Sequence, residues 1–369
     1  MVKLYFAVIL FIFVSVYLGM HYYVYSRIAG GLMLSRAAAG RLRLTFLIAA
    51  FSFVLSEFLS RRLAADWLKP LEYFGIFWLG IISISLSVFI IADTLRLFFY
   101  TQQSGYFSVA VSIIAVLLVT AYSVYNVSRG LKTKEIKIKT EKLPAGVRQF
   151  SIVQLSDLHI DSMKNLKWLK DIVNKTNALE PDLIVITGDL IDSNVCNLHG
   201  YCETLAKLKS KYGVYGVTGN HEYYAGLENF MNIAKVAGIK VLRNEKVTVG
   251  GILELAGVND KEGERFDGGG PDYESALKNC DFKKPVVLLD HRPVSFTKNS
   301  DKIDLQLSGH THAGQIPPMD LFVWLLYKYP FGLHKRNDSH IYTTFGTGTW
   351  GPPMRLFSRS EIVKIVLEN

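Results

Sequence analysis

The chain has 369 residues, half of them hydrophobic, and a formal net charge of +9. That length holds more than one folding unit, and so large an apolar fraction excludes a disordered, purely solvated chain. Three cysteines, Cys196, Cys202 and Cys280, with no framework spacing argue against a disulfide scaffold.

The apolar excess sits in the first 130 residues. Four stretches, 4–24, 44–60, 73–92 and 106–126, each approach the ~20 residues that a helix needs to cross a bilayer. Tyr22, Tyr23, Tyr25, Trp67, Tyr73 and Tyr100 gather near their ends, as an interfacial belt would. Residues 1–130 are therefore expected to form a four-helix transmembrane region of a multi-pass cell-membrane protein. Glu57 and Asp93, near the expected helix ends, read as interfacial carboxylates. With the N-terminus inside, ten basic residues (Lys3, Arg61, Arg62, Lys69, Arg129, Lys132, Lys134, Lys137, Lys139, Lys142) face the cytoplasm and five (Arg27, Arg36, Arg41, Arg43, Arg96) face away. The positive-inside rule then favours a cytoplasmic C-terminal domain, although the four arginines of the first loop argue the other way.

Residues 131–147 are expected to be a basic linker. The run SRGLKTKEIKIKTEKLP (128–144) alternates charge with Leu or Ile, which suits a strand or an interfacial segment. Its lysines can rest on anionic head groups, at roughly 1 kcal/mol each. Much of the net charge thus belongs to the membrane junction and calls for no nucleic acid.

From 148 to 369, short apolar runs alternate with polar, helix-like stretches. FSIVQL, PDLIVITG, GVYGVTG, GILELAGV, PVVLLD, KIDLQLSG, HIYTTFG and EIVKIVL read as strands, and 166–179, 202–211 and 227–237 as helices. The fold class expected is α/β (α+β), in layers.

Five of these strands deliver chemistry at their C-terminal ends: Asp157 and His159; Asp189; Asn220, His221 and Glu222; His291; and His310 and His312. Ligands of open α/β sheets collect at that edge. A lone histidine there would be an ordinary core or surface residue, and an Asp after a strand an N-cap. The joint pattern differs, because it takes five of the nine histidines. Carboxylate, amide oxygen and imidazole suit Mn²⁺, Fe²⁺ or Zn²⁺, and the lack of cysteine argues against a structural thiolate zinc site. Two such ions held ~3.5–4 Å apart clamp the attacking and leaving oxygens of a phosphoryl transfer. Glycines beside the ligands are expected to take positive φ and let the backbone approach closely.

D-x-H, G-D, G-N-H-E, a separate His and G-H-x-H, in that order, resemble the signature of the calcineurin-like metallophosphoesterases over residues 148–369. GHTHAGQ (309–315) and GTGTWGPPMR (346–355) look similar to the membrane-associated bacterial branch, some of whose members cleave the pyrophosphate of UDP-2,3-diacylglucosamine. The resemblance implies a β-sandwich flanked by helices. It implies that Asp157, His159 and His312 hold one divalent metal, that Asp189 bridges, and that Asn220, His291 and His310 hold a second. His221 would act on the phosphate and Glu222 would orient it. Arg355 would support its loop, meet an anionic substrate or form a structural salt bridge. Asp290, before His291, departs from the family pattern and either adds charge near the second metal or points away.

The run MDLFVWLLYKYPFG (319–332) reads first as a core-packed helix, with an element dipping into lipid as its alternative. The function expected is a membrane-anchored, dinuclear metal-dependent phosphohydrolase that cleaves a phosphoester or pyrophosphate bond by metal-activated water, its substrate a lipid phosphate, a phosphodiester or a lipid-linked pyrophosphate. The alternative is a non-catalytic membrane scaffold or sensor with a vestigial metal site.

Overall fold

A backbone withdrawn from water must satisfy its own hydrogen bonds, and the long uncharged runs do so as helices. The structure, a computed structural model, describes residues 2–63, 66–98, 104–161, 164–192, 199–267 and 269–369. Its first helices are α1 (Val2–Gly31), α2 (Arg36–Leu63), α3 (Lys69–Phe98) and α4 (Ser104–Ser128). Among the described residues, three stretches are long and apolar enough to cross a membrane: Arg36–Ser60, Lys69–Phe98 and Gly105–Ser128. Helix α1, over the expected first span, is not among these three.

The chain divides into two compact units. The first comprises Met1–Ser128 with Gln315–Leu321 and Gly351–Leu356. Its outward faces carry Phe51, Leu55, Ile91, Leu117 and Leu118. Small residues let its helices approach: a Cβ on Gly75 would lie 2.7 Å from the Phe53 Cα. Several polar groups inside this unit pair with one another. The Trp78 indole donates to His21 Nε2 at 2.9 Å, His21 Nδ1 donates to the Tyr17 carbonyl at 2.8 Å, and the Tyr17 hydroxyl donates to the Ala50 carbonyl at 2.9 Å. Asp93 pairs with Arg27 and accepts from Tyr23 at 2.7 Å, so it is tied to a neighbouring helix as well as lying near a helix end. The two later segments pack against these helices. Ile316 and Met354 form a buried cluster with Ile84, and Ser83 donates to the Pro317 carbonyl at 2.7 Å.

The second unit comprises Arg129–Gly314, Phe322–Trp350 and Phe357–Asn369. One six-stranded sheet runs in the order β1 (Lys132–Lys139), β12 (Glu361–Glu368), β2 (Gln149–Leu155), β3 (Leu183–Thr187), β4 (Val214–Val217), β5 (Ile239–Val241). The other runs β10 (Gly332–Arg336), β11 (Ser339–Thr343), β9 (Leu305–Ser308), β8 (Val286–Leu289), β7 (Leu253–Gly257), β6 (Glu245–Val249). Ile152, Leu183 and Val185 of the first sheet and Leu255, Val287 and Leu305 of the second share one buried cluster. A second cluster joins the first sheet to α5 (Leu166–Asn177), α6 (His199–Leu205) and α8 (Leu227–Val236). A third joins the other sheet to α10 (Tyr273–Leu277) and α11 (Phe296–Asn299). The short helices α7 (Asn220–Tyr224) and α9 (Gly263–Phe266) complete this unit. This is a sandwich flanked by helices. Strands buried on both faces read as continuous apolar runs, and β3 (LIVIT) is buried at every position.

Residues 132–139, expected within the linker, form β1, paired in parallel with the last strand. Lys132, Lys137 and Lys139 are exposed, Lys134 lies over the Tyr342 ring, and Ile136 and Ile138 are buried. Helix α12 (Met319–Leu326) contradicts the core-packed reading, since Val323 is its single buried residue.

Candidate metal centre

Strands β2, β3 and β4 run parallel, as do β8 and β9, so each turns at the same edge of its sheet. The turns are stitched together. Asp157 N donates to the Gly188 carbonyl at 3.0 Å, His159 N to the Asp189 carbonyl at 3.0 Å, and Gly309 N to the His291 carbonyl at 2.9 Å. The carboxylates of two turns also bind backbone: His310 N donates to Asp157 Oδ1 and His221 N to Asp189 Oδ1, both at 2.9 Å.

Positive φ falls on the expected ligands themselves: Asp157 (52°), His159 (48°), Asp189 (50°), His310 (70°) and His312 (49°). Non-glycine residues adopt this region rarely and at some cost, and such strain clusters at working sites. The glycines supply room. A Cβ on Gly309 would strike the Asp157 carboxylate, and one on Gly219 would strike that of Asp189.

Three overlapping groups of side chains could each hold a metal ion: Asp157, His159 and His312; His159, Asp189 and His221; Asp189, His291 and His310. His159 Nε2 lies 3.0 Å from His312 Nε2, and His310 Nδ1 lies 3.2 Å from His291 Nε2. His310 and His312 therefore part to different groups. They do so from two left-handed residues, where an extended segment would have pointed them to opposite sides. His291 Nδ1 donates to the Thr187 carbonyl at 2.8 Å, which leaves Nε2 aimed at Asp189 Oδ2, 3.2 Å away. Two buried oxygens, Asp157 Oδ2 and Asn220 Oδ1, have no hydrogen-bond partner. Buried polar atoms are rarely left so, and acceptor-only oxygens ringed by imidazoles are what a divalent cation requires. The residues present fit two such ions.

Burial would raise the Asp189 carboxyl, but His291 beside it holds it well below the usual range. His221 lies at the edge, its Nδ1 in close contact with Asp192 Oδ1. Burial alone lowers this imidazole, yet Asp192 and Asp189 push it up to about 9. Glu222 was expected to orient His221. Its buried carboxylate instead accepts from Gly219 N at 2.6 Å, Leu190 N at 2.7 Å and Asp189 N at 2.9 Å, fixing the Asp189 turn. The partner of the His221 ring is Asp192. The sequence carried a signal for it, a second carboxylate three residues after Asp189 in GDLID.

Asp290 points away from the cluster, with Tyr273 donating at 3.0 Å and Ser295 also bonded to it. Arg355 is fully buried within the helical unit. Its N–H donates to the Ser123 carbonyl at 3.1 Å and its carbonyl accepts from Asn126 at 3.0 Å. The structure thus favours loop support over substrate contact for it. Aromatic rings border the centre. Tyr224 and the half-exposed Trp350 stand 5.4 and 6.4 Å from the His221 ring, Phe266 is 6.0 Å from Tyr224, and Tyr327 is 5.9 Å from His310.

Residues 150–314 match the family described as calcineurin-like phosphoesterase. A transmembrane protein with metallophosphoesterase domain from Danio rerio is 38% identical over 273 residues, covering 70% of this chain and 62% of that protein. A Helicobacter pylori metallophosphoesterase is 39% identical over 239 residues, covering 64% of each. The chain thus spans under two thirds of the length of these relatives. An Aquifex aeolicus metallophosphoesterase is 36% identical over 242 residues, covering 65% of this chain and 92% of that protein. Among solved structures, a Haemophilus influenzae NAD nucleotidase aligns with TM-score 0.36 at 17% identity, covering 54% of this chain and 46% of that one. With the site geometry in place, these relatives settle the family: the chain belongs to the calcineurin-like metallophosphoesterases.

Proposed function

We propose that this protein is a membrane-bound, dinuclear metal-dependent phosphohydrolase that cleaves a phosphoester or phosphoanhydride bond of a lipid-linked substrate. One observation carries the reading: three groups of Asp and His share residues around buried, unpartnered oxygens of Asp157 and Asn220. Asp157, His159 and His312 would hold one cation, Asn220, His291 and His310 would hold the other, and Asp189 would serve both. Two divalent cations there would polarise a phosphoryl oxygen and lower the pKa of a water so that hydroxide is available near neutrality.

The chain's own groups do the rest. His221, aimed by Asp192, stands where it can stabilise charge on the phosphate or give a proton to the leaving oxygen. Glu222 keeps the Asp189 turn fixed. Tyr224, Phe266 and Trp350 offer apolar surface to a large leaving group. The membrane-length helices and the exposed apolar face of α12 support a substrate carried by lipid. The basic loops support a cytoplasmic catalytic domain.

The test is metal analysis of the purified protein with hydrolysis of a phosphodiester that has an alcohol leaving group, repeated on Asn220→Ala and His221→Ala. Asn220→Ala is expected to lose metal and activity, and His221→Ala activity with metal retained. Undiminished turnover in both variants would refute the assignment. Two bound metals without turnover of any phosphoester would favour the scaffold reading. For the lipid link, Phe322, Trp324 and Leu325 are replaced together by Ser. Equal losses on a soluble and a lipid phosphodiester would remove it.

A further inference from the structure

We propose that α12 is a membrane-dipping helix whose exposed apolar face contacts lipid acyl chains. This placement follows from chain continuity through Pro317 and stands apart from the catalytic reading. Helix α3 covers Lys69–Phe98, and a bilayer core takes roughly 20 helical residues. Every 20-residue window within 69–98, from 69–88 to 79–98, contains residues 79–88. Ser83 and Ile84 are therefore at hydrocarbon depth wherever the span is set.

Those two residues hold the chain that leads into α12. Ser83 donates to the Pro317 carbonyl at 2.7 Å, and Ile316 is buried against Ile84 and Met354. Non-helical backbone at that depth is tolerated only where protein covers it, and Gln315 and Ile316 are both buried. A Cβ on Gly80 would lie 2.6 Å from the Met354 sulfur and 3.0 Å from Pro352 Cβ. So α3 carries a hydrogen there to admit the second segment.

Helix α12 begins at Met319, two residues beyond Pro317, and its eight residues rise only ~12 Å. Six of the eight are exposed and apolar: Met319, Leu321, Phe322, Trp324, Leu325 and Leu326, the last at 78%. Such a run in water would be an aggregation liability. In the interface of a bilayer it is an anchor. Eight residues are too few to span, and the partly exposed Asp320 in the first turn keeps the helix at the boundary. Exposed Lys328 and Lys335, just beyond it, suit the head-group layer.

The full-length protein is reconstituted into vesicles of phosphatidylcholine, with and without brominated acyl chains. The fluorescence that Trp324→Phe removes is expected to be quenched by the brominated lipid and spared by aqueous iodide. The reverse result overturns the proposal. Leu326→Cys bearing a nitroxide gives a second reading that needs no loss of a native aromatic. Access for oxygen over a water-soluble nickel chelate supports lipid contact. Preferential access for the chelate refutes it, as does exclusion of both, which would mean that another protein surface covers the helix.

Discussion

The largest polar clusters of the two units are bonded differently. In the helical unit, Tyr17, His21 and Trp78 form a chain in which each donor meets an acceptor, and Asp93 meets Arg27 and Tyr23. In the sandwich unit, Asp157 and Asn220 keep buried oxygens without protein partners, and imidazole nitrogens face each other at 3.0 and 3.2 Å. A buried polar group that is satisfied internally serves the fold. Open oxygens that meet several imidazoles and carboxylates in one place, as these do, fit a ligand instead. The comparison sorts the histidines better than burial alone, since His21 is as hidden as His312.

The largest effect should come from Asp189, which belongs to two of the three candidate groups. Asp189→Asn is expected to lower turnover of bis(p-nitrophenyl) phosphate by more than the ~10–100-fold typical of an outer ligand partner, and to lower bound metal. Circular dichroism should be unchanged, because the sheets do not depend on this side chain. Metal content equal to wild type would mean that the open oxygens do not mark a metal site.

Asp192 comes next. Asp192→Asn keeps the shape but removes the charge that holds a proton on His221. Turnover should fall about 10–100-fold with both metals retained, the size of effect that positioning partners have. Rescue by a substrate whose leaving group needs no proton would separate this role from a structural one. Equal losses on such a substrate and on an ordinary one would count against it.

Asp192 also shows where the sequence stops being legible. The residues of the candidate site could be picked out because each follows an apolar run and the five blocks keep a fixed order. The sandwich was readable because strands buried on both faces are continuous in Val, Ile and Leu. Short edge strands were not: β5 has three residues, and β10 (GLHKR) is polar and only part-buried. The exchange of Glu222 for Asp192 as the partner of His221 turns on how two loops meet, which neither loop encodes alone. The fate of 315–321 and 351–356 was hidden for the same reason. Nothing local in Ile316 or Met354 says that its partner is Ile84, more than 200 positions earlier.

On the helical side the comparison sharpens with His21→Leu. The variant leaves the Trp78 N–H buried without its acceptor, at a cost of about 1–3 kcal/mol. Thermal unfolding in detergent should move down while metal content and turnover per folded molecule stay unchanged. A loss of turnover at full folding would show that this network does more than hold helices.

The smallest effect is expected at Asp290, one residue from a ligand yet on the satisfied side of the division. Its carboxylate accepts from Tyr273 and Ser295, and that pairing turns it from the metals. Both hydroxyls donate to one oxygen, Oδ2, so in Asp290→Asn an amide oxygen placed there still accepts from both. The net change should stay within about 1 kcal/mol of stability, with both metals bound and turnover unchanged. If metal stoichiometry drops instead, the charge of Asp290 reaches the second ion through His291. The line between groups that hold the fold and groups that hold the ligand would then run inside a single turn.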